Sequence, residues 1–461
     1  MDRDPLRVFK SMHLWCLGMV VLFQTALSST SPLPVCILGA GPSGITTANE
    51  LEAVNRSTVI FEKEDVIGGK ARNYYEDGFF YPLGPFLLYN GTYTETLKLI
   101  ADLGLNYTAM IDAKQYVFDW KTGATVPGPS LESSIPVDEL ERYTKQWKSD
   151  YEPYANSYEN LPDDLTVSIA EWLSKNNYPA IQSYLTQFLA VLGYGDAETI
   201  PAIYPLQPFS PEVFTSGEFF LDYLELFHRY FKKLKRTQLH LSSTIEQIDR
   251  SENNVTIHYH TKAQGSSQTQ SCSDLIIAFA PTANALKDTG IQLTPSESQV
   301  FSAVEVDNYF SGVFSLDIPP TDKLQVASAS PKIAPEGAGE PLSIDALYNE
   351  TNIFLTWAWA TGDQTPDEVK STVIESLGKI NKDPSDITAK STPLAEDDVK
   401  DFEHFPNYFP HFNSTVLREG WYDKLEKLQG EKRTYYISGL NKFEAVEYVV
   451  RAAKDLVKGH F

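Results

Sequence analysis

Two short unbroken apolar runs, residues 35–38 and 59–61, enclose a stretch that starts in glycine and continues with helical spacing. Runs of this length bounded by turn residues predict strands buried on both faces, so the opening order is strand, helix, strand. Residues 78–87 predict a strand entering a glycine turn, and residues 94–103, closed by Gly104, carry helix signals at both ends. From 137 to 234 the pattern is helical and rich in Tyr and Phe, with a capping box at Ser168 and Glu171 before Trp172. Strands return at 238–241, 244–248, 255–259 and 274–281. Beyond them come strands at 309–316 and 353–359 and one helix at 367–377, and a last strand at 434–437 precedes a closing helix at 444–457.

The first turn carries the chemistry. It reads Gly39-Ala40-Gly41-Pro42-Ser43-Gly44, between a strand and a helix. Gly39 permits the sharp turn, Gly41 lets backbone N–H groups approach a pyrophosphate, and Gly44 lets helix and strand pack closely. The helix N-terminus, with Ser43 in its first turn, then faces the phosphates. Glu62 follows Gly44 by 18 residues, close to the spacing at which an acid hydrogen-bonds an adenosine ribose. An ordinary surface turn would lack this order of elements.

The residues from Glu62 to Lys70, Glu62-Lys63-Glu64-Asp65-Val66-Ile67-Gly68-Gly69-Lys70, resemble the glycine-pair extension of the FAD-binding amine oxidase and phytoene desaturase superfamily. The strands around 238–281 and the closing strand and helix are similar to that superfamily as well. The resemblance implies FAD rather than NAD, with Gly69 and Lys70 along the pyrophosphate, the backbone of Ile245 at the adenine, and the helix end at Val446 facing the flavin pyrimidine. It also implies an α/β fold: a discontinuous Rossmann-like FAD-binding domain with an interleaved α+β substrate domain. On that basis residues 34–110, 236–285 and 426–461 are expected to form the cofactor domain. Residues 111–235 would be the helical part, and 286–425 the mixed-sheet part, of the substrate domain. Short motifs such as Tyr408-Phe409-Pro410-His411 and Leu428-Gln429-Gly430 resemble a group of secreted-type fungal flavoproteins that includes β-cyclopiazonate dehydrogenase.

Three departures qualify the resemblance. The strand Tyr309-Phe310-Ser311-Gly312-Val313-Phe314 lacks the lysine that many amine oxidases carry there. Leu440 replaces an acid that contacts the ribityl chain, so another group must make that contact. No cysteine follows Cys272, which excludes thioether attachment through the C-terminal region and implies non-covalent FAD.

Composition narrows the setting. A chain of 461 residues accommodates two cores. Its formal charge of −23 favours solubility and repels nucleic acid. Arg3, Arg7 and Lys10 precede an apolar run at 14–27, so residues 1–28 read as a signal peptide cleaved near Ser28, the run being shorter than the roughly 20 residues of a spanning helix, with an uncleaved anchor as the alternative. Glycosylation triplets at Asn55, Asn90, Asn106, Asn254, Asn349 and Asn413 agree with a secreted or lumenal protein bearing N-linked glycans. Cys16 lies in that leader. Cys36 and Cys272 offer neither a disulfide framework nor a metal site, and Cys36 reads as a buried apolar filler.

A flavin takes a hydride from a C–H bond next to nitrogen, oxygen or a conjugated system, and the protein supplies position and electrostatics. An aromatic wall is therefore expected, from Tyr194, Tyr309, Phe310, Tyr348, Trp357 and Trp359, with Tyr309, Trp359 and His411 as catalytic candidates. Each is also an ordinary core residue type. The leading function is an FAD-dependent oxidase or dehydrogenase acting on an amine-bearing or aromatic small molecule in natural-product biosynthesis, including oxidative ring closure. A desaturase or isomerase of lipid-like substrates and a non-enzymatic prenyl carrier of the same architecture are the alternatives.

Overall fold

A computed structural model describes residues 32–127, 135–155, 157–326, 339–360 and 364–461; the expected signal peptide lies outside them. In chain order, β1 (Val35–Leu38), α1 (Pro42–Ala53) and β2 (Thr58–Phe61) form the first unit, followed by α2 (Thr94–Leu103) and the hairpin β3 (Lys114–Asp119) and β4 (Ala124–Val126). A largely helical stretch holds α3 (Pro179–Val191) and α4 (Tyr223–Lys232). Then come β5 (Thr237–His240), the meander β6 (Ser243–Arg250), β7 (Val255–Thr261) and β8 (Gln264–Cys272), and β9 (Asp274–Ile277). Strands β10 (Glu305–Ser315), β11 (Asp322–Val326), β12 (Ser343–Ala346) and β13 (Ile353–Ala360), helix α5 (Pro366–Ile380) and β14 (Val399–His411) precede the closing β15 (Thr434–Tyr436) and α6 (Val446–His460).

Five of these strands, from three separated stretches of chain, make one parallel sheet in the order β5-β2-β1-β9-β15. The apolar runs leave no polar face because both faces are covered. Val35, Ile37, Ile60 and Ile276 pack against α1, α4 and α6 on one side. Their neighbours Cys36, Leu38, Val59, Phe61, Leu275 and Ile277 pack toward the meander and the helical stretch on the other. A second sheet, in the order β14-β10-β13-β12-β11-β3-β4, stands beside it. The mixed α/β architecture agrees with the fold class read from the sequence.

Four local features differ from the sequence reading. Cys36 and Cys272 form a disulfide, with Cα atoms 5.7 Å apart at a sequence separation of 236. The expectation of an unbridged filler therefore fails, because β1 and β9 are parallel neighbours and Cys272 ends β8 just before β9. The stretch 111–235 is not only helical, since β3 and β4 extend the second sheet. Tyr223, Leu226, Phe227 and Tyr230 of α4 share the core of the first sheet. The box at Ser168 is only half formed: Glu171 N donates to Ser168 Oγ at 3.1 Å.

Helix α2 is capped from afar. No side chain of its own preceding residue caps it. The buried carboxylate of Glu447, on α6, accepts from the backbone N–H groups of Glu95 and Thr96 at 3.1 and 2.9 Å, and Arg451 holds it from the other side at 2.7 Å. A carboxylate at a helix N-terminus fills orphan donors and complements the dipole, a contribution of about 1 kcal/mol.

Candidate functional site

A cavity of about 810 Å³ runs between the two sheets. One half is made of backbone. Gly39, Gly41, Ser43 and Gly69 line it, and the two glycine segments abut: a Cβ on Gly69 would lie 2.9 Å from Gly41 Cα, at a φ of +56° that already favours glycine. Gly44 does not reach the cavity. It sits against the strand, where a Cβ would fall 2.0 Å from Gly39 O. No side chain caps the N-terminus of α1, so its first free N–H groups face the same space as the glycines.

Glu62 closes this half. Its buried carboxylate accepts from Ala40 N at 2.7 Å and from Glu64 N at 2.9 Å, which fixes both oxygens at the cavity edge while each keeps a second lone pair. Ile245 lines the wall beside a register shift between β6 and β7. Val446 lines the opposite wall at the start of α6, an N-terminus that no side chain caps. Lys70 also lines the cavity, but its ammonium is already engaged. It donates to Asn407 O at 2.7 Å, pairs with Glu444, and lies 5.1 Å from the ring centre of Tyr408.

The other half is aromatic, and its polar atoms point away from the cavity. Tyr309 and Tyr408 donate their hydroxyls to Val191 O and Leu192 O, and Trp359 Nε1 donates to Ala190 O at 2.8 Å. Val191 O ends α3 and Leu192 O follows it, so the two phenols satisfy carbonyls that a helix end leaves bare, while Ala190 O also accepts from Gly193 N at 3.0 Å. The chain then turns at Gly193, where φ is +75° and a Cβ would meet Tyr309 at 2.6 Å. The rings of Tyr194, Tyr408 and Tyr309 stack in succession, with centroids 6.0 and 4.7 Å apart, and Trp357 lies parallel to Phe86 at 5.7 Å. Burial pushes the phenols of Tyr194, Tyr309 and Tyr408 well above their ordinary range, so they stay protonated.

The three catalytic candidates are not brought together. Tyr309 offers its ring to the cavity. Trp359 does not line it and serves α3 instead. His411 is absent from the lining too: Nδ1 donates to Phe409 O at 2.8 Å, and the ring packs between Phe409 and Tyr204. Burial lowers its pKa, which favours the neutral ring. Phe310 faces the opposite side of its strand, stacked on His404.

Sequence reasoning missed Tyr408 and Glu444. The signal for Glu444 was the unfilled role left by Leu440, whose side chain is buried in the core. Glu444 lines the cavity just before α6, with one oxygen on Lys70 and Oε2 without a hydrogen-bond partner among the described residues. Asp307 Oδ2 is also unpartnered, and burial, with the charges of Glu305 and Glu444, pushes its carboxyl up to about 7. Nothing in the sequence around Tyr408 marks it as a ring stacked on Tyr309.

Residues 42–399 match the model of the family described as flavin containing amine oxidoreductase. An uncharacterised protein, R656, of Acanthamoeba polyphaga mimivirus is 26% identical over 499 residues, spanning 96% of this chain and 97% of that protein. The FAD-dependent oxidoreductase dpasF of Apiospora sacchari is 24% identical over 434 residues, 89% of each. Among solved structures, the fatty acid isomerase of P. acnes that produces CLA superposes with a TM-score of 0.77 at 19% identity, over 93% of this chain and 99% of that one. Putrescine oxidase bound to putrescine gives 0.62 at 14%, over 93% and 98%; both likenesses concern the fold.

Proposed function

The chain belongs to the flavin-containing amine oxidoreductase family and is an FAD-dependent oxidoreductase, and on that premise we propose that it removes a hydride from an aromatic or amine-bearing small molecule in natural-product biosynthesis, with oxidative ring closure among its outcomes. The observation that carries this reading is the ring wall of Tyr194, Tyr309, Tyr408 and Trp357 opposite the glycine cradle. FAD when bound supplies the hydride acceptor. The residues present fit it: the glycine pair leaves room for a pyrophosphate, α1 offers N–H groups to it, and Glu62 keeps lone pairs for a ribose. Ser43, Gly69, Lys70, Ile245 and Val446 are proposed as further cofactor contacts. Glu444 Oε2 is proposed to accept from the cofactor's polyol in place of the acid missing at Leu440.

In this mechanism the stacked rings hold a flat substrate and exclude water, and the carbonyls of α3 fix those rings. Tyr309 positions by its face rather than by acid–base action, because its proton is already donated. With Cys36 and Cys272 bridged to each other, neither is free to carry flavin covalently.

A secretory location is proposed from the leader at 1–28 and the six triplets. The disulfide supports it, since such bonds persist in oxidising compartments. So does the exposure of Asn55, Asn90, Asn106 and Asn349. Anaerobic mixing of the yellow protein with candidate aromatic metabolites tests the function: bleaching of the flavin band by one of them is expected, and a colourless purified protein would refute it. Among the described residues no helix is long and apolar enough to cross a membrane.

A further inference from the structure

The charged residues that line the cavity are distributed unevenly. Glu62, Lys63, Glu64, Lys70, Arg72 and Glu444 all belong to segments that build the nucleotide half or close on Lys70, and Asp288, Glu403 and His404 complete the set. The aromatic half is contributed by Phe86, Leu87, Tyr89 and Tyr93, the turn after α3, Phe209, Val213, Tyr223, Tyr309 and Trp357, none of them an ionisable acid or base other than phenols.

Apart from Tyr93, those phenols are spent as donors. Tyr194 donates to Glu444 O at 3.0 Å, Tyr223 to Leu87 O at 2.9 Å and Tyr89 to Glu218 Oε1 at 3.2 Å, in addition to Tyr309 and Tyr408 on the end of α3. Besides the Tyr93 phenol, what faces the cavity is therefore ring surface and hydrocarbon. A charge moved there from water would lose its hydration and find no opposite charge.

Two features could still favour a cation, and both are already compensated. An aromatic face attracts cations, but Lys70 already lies over Tyr408, and a second cation would meet its field. Glu218 stands behind Tyr89 and outside the lining, where burial raises its pKa and Lys323 is near enough to offset it. Lys323 is itself paired with Asp345 at 2.6 Å.

We infer that the substrate enters this half as an uncharged, rigid, largely apolar molecule, a conjugated or polycyclic body without a free ammonium or carboxylate at the end that the rings enclose. This rests on the function proposed above and sharpens it. Nitrogen in such a substrate is non-basic, as in an indole, or lies outside the ring wall. The same surface takes neither a fatty acid by its carboxylate nor a primary amine by its ammonium. Trp357 and Phe86, parallel to one another, set the specificity for flat ring systems.

The test uses the yellow holoprotein and three probes with one skeleton: tryptophol (neutral), tryptamine (cationic) and indole-3-acetate (anionic). Each is titrated at pH 7 while the flavin absorption band is followed. Tryptophol is expected to perturb the band with a Kd at least about tenfold lower than either charged probe, and Trp357→Ala should weaken it without releasing FAD. Tryptamine binding as tightly as tryptophol or more so, with that affinity lost in Glu218→Gln, would overturn the inference and assign the site to cations. Tighter binding of indole-3-acetate, or no response to any of the three, would overturn it as well. A preparation without flavin absorption would instead refute the underlying function, which keeps the two failures apart.

Discussion

The two halves of the cavity solve the problem of recognition with opposite materials. The nucleotide half uses backbone: glycines 39, 41 and 69 keep Cβ atoms out of the way, and the Glu62 carboxylate is fixed by two backbone N–H groups. The aromatic half uses side chains from the turn after α3 and from β10, β13 and β14, and the backbone appears as the carbonyls that hold the rings. A backbone site tolerates no added atom, whereas a ring wall changes by degrees.

Substituting in each half should expose that contrast. The largest effect is expected for Gly44→Ala, whose Cβ would overlap Gly39 O at 2.0 Å. A loss on the order of 4 kcal/mol or more is anticipated, read as little soluble yellow protein after gel filtration. Next comes the bridge between the first sheet and the meander. Cys36→Ala with Cys272→Ala should cost about 2–3 kcal/mol in chemical denaturation while FAD stays bound.

In the ring wall the effects shrink. Tyr309→Phe leaves the Val191 carbonyl unmatched, for about 1 kcal/mol in thermal unfolding, and Trp359→Phe costs less because Ala190 O keeps its bond from Gly193 N at 3.0 Å; neither changes the ratio of FAD to protein. The smallest effect depends on pH. The Asp307 carboxyl is raised in the folded protein from 3.8 to about 7, so the folded state binds more protons than the unfolded chain between these values and stability falls as pH rises through that window. Asp307→Asn should match the parent below pH 4 and exceed it at pH 8, by up to about 1 kcal/mol given the residue's partial access to solvent.

Legibility followed the same division. Gly39 to Gly44 and Glu62 form a local pattern whose geometry follows from strand, turn and helix, and their positions could be read before any coordinates. The alternation of faces in 353–359 was local too, and Trp357 and Trp359 do share a core. The donor roles of Tyr309 and Trp359 were not legible, because the carbonyls they satisfy lie more than a hundred residues away. The bridge from Cys36 to Cys272 was hidden for the same reason: only the strand order places β1 beside β9. His411 carried a titratable ring near neutrality, but its partner is a carbonyl two residues away, and packing removed it from the cavity. Glu447, which caps α2 from α6, gave no sequence signal at all.

The division of labour is tested most directly by crossing one variant from each half, Glu62→Ala and Trp357→Ala, and measuring both bound FAD per protein and the tryptophol-induced change in the flavin band. The account predicts that Glu62→Ala lowers FAD occupancy while the remaining holoprotein responds to tryptophol as the parent does, and that Trp357→Ala keeps its FAD and loses the response. Unchanged occupancy in Glu62→Ala, or equal loss of FAD in both variants, would contradict it.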